Sequence, residues 1–152
     1  MRLHLDHAWF DDLLAYLDAD RERVAFLRTT VASDGYRVTG VQHLDDDVDY
    51  LDQRVDGAEL ADHVRPAVLR WAHENGDGLA EAHWHGRPGR RTVFSRTDLD
   101  GLREFAPHVL WRLPGHPYVA LVLGPDSFDA LVWFRPSPQV SAFVISGGRS
   151  HR

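Results

Sequence analysis

The sequence predicts an α/β fold in which a mixed β-sheet is flanked by helices. Three observations point there. Helical and strand-like patterns interleave along the chain instead of segregating, and interleaved elements pack as helices on a sheet. The strand-like segments are short, apolar and rich in β-branched residues, whereas the helical ones carry a single apolar stripe. The chain has 152 residues, enough for one domain that buries roughly two thirds of its unfolded surface without covalent staples. No internal repeat or linker interrupts it, so residues 1–146 are expected to form the domain and 147–152 a loose tail.

The elements follow in order. His7 to Leu17 is predicted as a helix, with Trp9, Phe10, Leu13, Leu14 and Leu17 on one stripe and Asp6 as its cap. Glu22 to Ala32 reads as a strand, ended by Ser33-Asp34-Gly35, and Tyr36 to Leu44 as its hairpin partner. The acidic run Asp45-Asp46-Asp47-Val48-Asp49 reads as a solvated loop. Ala58 to Glu74 reads as a long helix with Leu60, Val64, Val68, Leu69 and Trp71 inward. Pro66 allows the true start to fall there, with proline in the first turn. Asn75-Gly76-Asp77-Gly78 ends that helix. Leu79 to His85 is a short strand, Gly86 to Phe94 a loop with three arginines, and Arg96 to Leu110 a third helix. Tyr118 to Leu123, Phe128 to Phe134 and Val140 to Ser146 are apolar strands, the first two joined by Gly124-Pro125-Asp126-Ser127.

Composition narrows the chemistry. There is no cysteine, which removes disulfides, thiolate metal sites and cysteine nucleophiles. Any metal must be held by imidazole and carboxylate. The net charge of −6 argues against general nucleic-acid binding, which relies on lysine and arginine. No apolar run reaches the roughly 20 residues needed to span a bilayer. The first residues, Met1-Arg2-Leu3-His4-Leu5-Asp6, do not form a signal peptide. A soluble cytoplasmic protein is therefore expected. All 17 basic residues are arginine, which reads first as coding bias in a GC-rich genome and only second as a protein that offers no acceptor amine to conjugation.

Most of the ten histidines show no ligand spacing, but His83 and His85 do. Alternate residues of a strand point to one side, so both imidazoles can converge on one ion, and Asp98 from the next element can be the third ligand. Three protein ligands with one open position is the layout of a catalytic zinc site. Zinc so held lowers the pKa of its water to about 7 and lets it attack an amide carbonyl. Glu22, at the start of an apolar strand, is the candidate general base, and Ser95 can offer its hydroxyl to the developing oxyanion. Plainer readings exist. An isolated His-x-His is a weak signal, and Ser95-Arg96-Thr97-Asp98 has the form of a helix capping box. Capping and ligation are compatible, because the cap fixes the carboxylate. A metallo-β-lactamase-type site wants an acid two residues after the second histidine, where Arg87 stands. Barrel hydrolases with His-x-His need roughly 250 residues. Iron oxygenases with two histidines and a carboxylate usually sit inside all-β barrels.

With Glu22 in Glu-Arg-Val-Ala-Phe-Leu, then His83-Trp84-His85, then Ser95-Arg96-Thr97-Asp98, the chain resembles the JAMM metalloproteases, the catalytic branch of the JAB/MPN domain. The resemblance covers about Leu3 to Phe134. It implies a three-layer fold similar to cytidine deaminases, zinc on His83, His85 and Asp98, Glu22 as acid/base, and Ser95 steadying the tetrahedral intermediate. It also implies cleavage of a peptide or isopeptide bond at the C-terminus of a ubiquitin-like or sulfur-carrier protein, in company with an E1-like enzyme. The chain departs from the family pattern in having Gly86 where proline follows the second histidine, a longer stretch between His85 and Asp98, and Ala25 in place of a glycine. The arginine-rich loop 86–91 lies beside the expected metal and offers a surface for an acidic substrate or a C-terminal carboxylate. Two rival functions remain: a non-catalytic MPN-type scaffold, and a small-molecule metal hydrolase such as a deaminase, whose cysteine signature is absent.

Overall fold

A computed structural model describes residues 2–55, 57–86, 92–125 and 127–134, together with the backbone of Val144–Ser146. The element order is β1 (Arg2–His4), α1 (His7–Leu17), β2 (Val24–Ala32), β3 (Gly35–His43), β4 (Tyr50–Gln53), β5 (Ala58–Leu60), α2 (Val64–Glu74), β6 (Gly78–Trp84), α3 (Arg96–Arg112), β7 (Tyr118–Leu123), β8 (Phe128–Trp133) and β9 (Val144–Ser146). Seven strands form one mixed sheet in the order β8-β7-β6-β2-β3-β1-β9, and β4 and β5 form a separate hairpin. The pairs β2/β3, β2/β6 and β7/β8 are antiparallel; β6/β7, β1/β3 and β1/β9 are parallel. The crossover from β6 to the parallel β7 is carried by α3, as a parallel pair requires.

Strand alternation divides the core in two. Val24, Phe26, Leu79, Tyr118, Ala120 and Val122 face Val68 and Ala72 of α2 and Leu102, Phe105 and Val109 of α3. Their neighbours Ala25, Leu27, Ala80, Ala82, Val119 and Leu121 face Leu13 and Leu17 of α1. The sheet is therefore buried on both sides, which explains why β7 reads as a continuous apolar run and why β6 is buried along nearly its whole length, Glu81 and His83 included. Gly35 marks where β1 meets β3. Its φ is +154° and a side-chain carbon there would strike the Arg2 carbonyl, so the close approach requires glycine.

Several sequence expectations need correction. The predicted helix from Ala58 is two elements. Ala58–Leu60 pairs with Tyr50–Gln53, and α2 begins at Val64, leaving Pro66 in its first turn where no backbone donor is needed. The first strand of the hairpin begins at Val24 instead of Glu22, because the Glu22 amide bonds to the Arg54 carbonyl at 2.7 Å. Asp6 occupies the N-cap position of α1 without a side-chain capping bond; its carboxylate accepts from Arg37 at 3.4 Å. β1, β4 and β5 were not expected from the sequence. The expected last strand, Val140 to Ser146, is described only over Val144–Ser146, and the tail 147–152 lies outside the described residues. Among the described residues no helix is long and apolar enough to cross a membrane.

Candidate metal centre

The face of the sheet that meets α2 and α3 carries a buried polar cluster at its end. β6 delivers His83 and, one step past its last residue, His85. Both point to the same side, as alternation requires. β2 pairs antiparallel with β6 so that Phe26 faces Glu81 and Val24 faces His83. Glu22 stands two residues before β2 begins, with its carboxylate towards His85. Asp98 arrives from the first turn of α3. Its carboxylate is held by a capping box: Ser95 Oγ accepts the Asp98 amide at 3.1 Å and Asp98 Oδ2 accepts the Ser95 amide at 3.1 Å.

All four expected metal-site side chains therefore meet. His85 Nε2 lies 3.6 Å from Glu22 Oε1 and 3.8 Å from Asp98 Oδ2. His83 Nδ1 lies 3.8 Å from Asp98 Oδ1. Glu22, His83 and Asp98 each offer one ligand atom, and these lie within 4.8 Å of one another. Atoms bound tetrahedrally to one zinc at about 2.0–2.2 Å stand roughly 3.3–3.6 Å apart, close to the 3.6–3.8 Å separations of His85 from Glu22 and Asp98 and of His83 from Asp98. Ser95 caps α3 and is tied to the cluster through Asp98. Of the loop 86–91 only Gly86 is described. A side-chain carbon at Gly86 would overlap the Trp84 indole, which accounts for glycine where the resemblance expects proline.

The donor set fits a divalent cation. Glu22, His83 and His85 are buried and Asp98 is nearly so. Buried carboxylates are costly unless paired or coordinated. Here Glu22, Asp98 and a third acid, Glu81, share one pocket with two imidazoles. His83 Nδ1 is buried with no hydrogen-bond partner, and a buried polar atom left so is the kind of group a ligand completes.

Glu81 was missed in the sequence. Its Oε2 lies 2.6 Å from His83 Nε2, and its Oε1 accepts from the Tyr118 hydroxyl at 2.5 Å. Burial works against charge on both partners. The Glu81 carboxylate nevertheless holds the His83 pKa up to about 9, and the His83 and Tyr118 bonds, with Arg65 nearby, hold the Glu81 carboxyl below its ordinary value. Burial first, and Glu81 second, push the Tyr118 hydroxyl well above its usual range. Glu81 was legible in principle, since it precedes His83 by two residues and so shares its face. Tyr118 was not, because its position depends on the parallel register of β6 with β7. Phe94 stands edge-on to the His83 ring, with centroids 6.3 Å apart.

No family model matches the chain, and no curated protein matches it. Among solved structures it is similar to a structural-genomics target protein from Desulfitobacterium hafniense, determined in solution. The TM-score is 0.55 and the identity 15%, over 99% of this chain and 97% of that one. The likeness is one of fold: a mixed sheet flanked by helices.

Proposed function

We propose that the protein is a zinc-dependent peptidase or isopeptidase of the JAMM type, built on a JAB/MPN fold. The observation that carries the reading is the meeting of Glu22, His83, His85 and Asp98 in one buried cluster, with the glutamate 3.6 Å from the second histidine. His83, His85 and Asp98 would hold the metal. Zinc there supplies Lewis acidity and water of pKa about 7. Glu22 would take the proton of the attacking water on Oε1 as the C–O bond forms, and would then return it to the leaving amine as the C–N bond breaks. The Ser95 hydroxyl donates to the carbonyl oxygen as it gains charge. The substrate is the C-terminal region of a ubiquitin-like or sulfur-carrier protein, with an E1-like enzyme as a further partner; this part rests on the motif resemblance alone.

Glu22→Gln tests the assignment. Zinc content and fold should be retained while cleavage of a ubiquitin-like fusion falls by about 10²-fold or more. Cleavage at the wild-type rate would sink the acid/base role.

A second reading has its own observation. Glu22, His83 and Asp98 by themselves form a group whose ligand atoms lie within 4.8 Å of one another. With Glu22 as a fourth protein ligand the site would be closed, and closed sites are structural. The protein would then be an MPN-type scaffold stabilised by its metal. The same variant separates the two, because Glu22→Gln loses metal affinity if Glu22 is a ligand and keeps it if Glu22 is the base.

A further inference from the structure

Glu81 stands on the same face of β6 as the two histidines, yet both its oxygens are engaged away from the presumed ion. We propose that Glu81, braced by Tyr118, is a positioning residue that fixes the His83 ring and selects Nδ1 as its metal-binding atom. The two histidines would then bind through different nitrogens, Nδ1 of His83 and Nε2 of His85. The inference rests on the metal-centre reading above and is independent of peptidase activity.

The hydrogen-bond chemistry sets the direction. A metal-bound imidazole keeps one N–H, and the partner of that N–H decides which nitrogen faces the metal. A carboxylate can only accept. Glu81 Oε2, 2.6 Å from His83 Nε2, therefore keeps the hydrogen on Nε2 and leaves the lone pair on Nδ1. Nδ1 is the atom that faces Asp98 at 3.8 Å and has no hydrogen-bond partner. Glu81 is not free to turn, because its other oxygen accepts from Tyr118 at 2.5 Å. Tyr118 is in turn fixed by ring contacts with Phe105 and Trp133 at centroid distances of 5.5 and 5.8 Å. Every member of this chain is buried. On His85 the nitrogen facing Glu22 and Asp98 is Nε2. Same-face residues of a strand stand roughly 6.5 Å apart. Presenting the near nitrogen of one ring and the far nitrogen of the other brings such a pair to a single point.

The test is made on the full chain with zinc alone, and for the spectra with cadmium, using isotope-labelled histidine and heteronuclear NMR of the ring nitrogens. In the wild type, His83 should show a metal-bonded Nδ1 and a protonated Nε2, and His85 the reverse. In chelator competition, Glu81→Met should lose about 10–100-fold in zinc affinity, the usual effect of removing an outer partner of a ligand, and should lose the Nδ1 signature. Glu81→Gln, which keeps an acceptor, should recover part of both. Tyr118→Phe, which keeps the ring, should show a smaller loss. A metal-bonded Nε2 on His83 in the wild type would overturn the proposal, as would wild-type affinity and an unchanged signature in Glu81→Met. Should Glu81→Met not fold, the wild-type spectrum and Tyr118→Phe decide. A wild type that binds neither ion overturns both this inference and the metal-centre reading. Tight zinc binding indifferent to Glu81 overturns this inference alone.

Discussion

Between Glu81 and Asp98, with Glu22 nearby, the His83 ring is a place where the metal-free protein holds a proton. Burial alone would lower its pKa, but the acids raise it to about 9 from 6.5. A histidine raised on folding contributes stability that is fully present below 6.5 and lost as pH rises through about 9. Glu81 behaves in the opposite sense. Its carboxyl is depressed, so its contribution is present above 4.5 and lost as pH falls through the lower folded value. Denaturation midpoints of the chelator-treated protein should therefore fall as pH is raised from 6.5 past about 9. Zinc-loaded protein, whose His83 is held neutral, should lack that decline. At this scale the sequence was informative where alternation and spacing suffice: His83, His85, Ser95 and Asp98 stand where their pattern put them. Glu22 was harder, because its place depends on which strand lies beside β6, and pairing is not written in local spacing.

Two elements hold the site. The N-terminus of α3 fixes Asp98 through reciprocal bonds with Ser95. Ser95→Ala should cost about 1 kcal/mol of stability, as cap removals do, and should also weaken zinc binding, because Asp98 Oδ2 loses its orientation. Paired denaturation and competition titrations check both effects. The β4–β5 hairpin fixes Glu22. Arg54 accepts its amide, Gln53 donates to its carbonyl at 3.3 Å, and the Tyr50 hydroxyl accepts the Val24 amide at 2.8 Å. Tyr50→Phe leaves that buried amide without an acceptor and should destabilise by about 1–3 kcal/mol, read by urea denaturation. The hairpin was illegible from sequence for a physical reason. Strands of three or four residues are too short to display a period, and Ala58–Leu60 happens to continue the helical spacing of α2. Only Pro66 betrayed the boundary. The elements α1, α3, β3 and β7 were read to within one or two residues, the helices because each repeats its apolar spacing several times and β7 because its apolar run is bounded by turn residues.

For the molecule as a whole, three carboxylates at one buried end of the sheet are a liability that the proposed dication would relieve. Anything that binds only the folded state adds stability as RT ln(1 + [L]/Kd), about 2.7 kcal/mol when the ligand is at a hundred times Kd. Chelation should lower the melting temperature, and added zinc should restore it. Glu22→Gln removes one of the crowded charges. In the absence of metal it should melt above the wild type by the equivalent of about 0.5–2 kcal/mol, a typical yield when a functional site is relieved of strain. A scanning calorimeter decides the sign. The two-faced sheet was foreseeable from interleaved patterns, but its order was not. β6 lies between β2 and β7, which are distant in sequence, and such neighbours are chosen by non-local packing.

The nearness of Glu22 to His85 carries a consequence for how the chain can change. Side chains alternate with a period of two, so deleting or inserting a single residue between Glu22 and Phe26 would swing the carboxylate to the α1 side of the sheet. A change of two would instead move it one pleat along the same side. The loops that connect β3, the hairpin, α2 and β6 have no such parity rule, since loop lengthening costs little. Descendants of this chain can thus lengthen or shorten freely at the turns, while the few positions around Val24 tolerate replacement but not a shift in count.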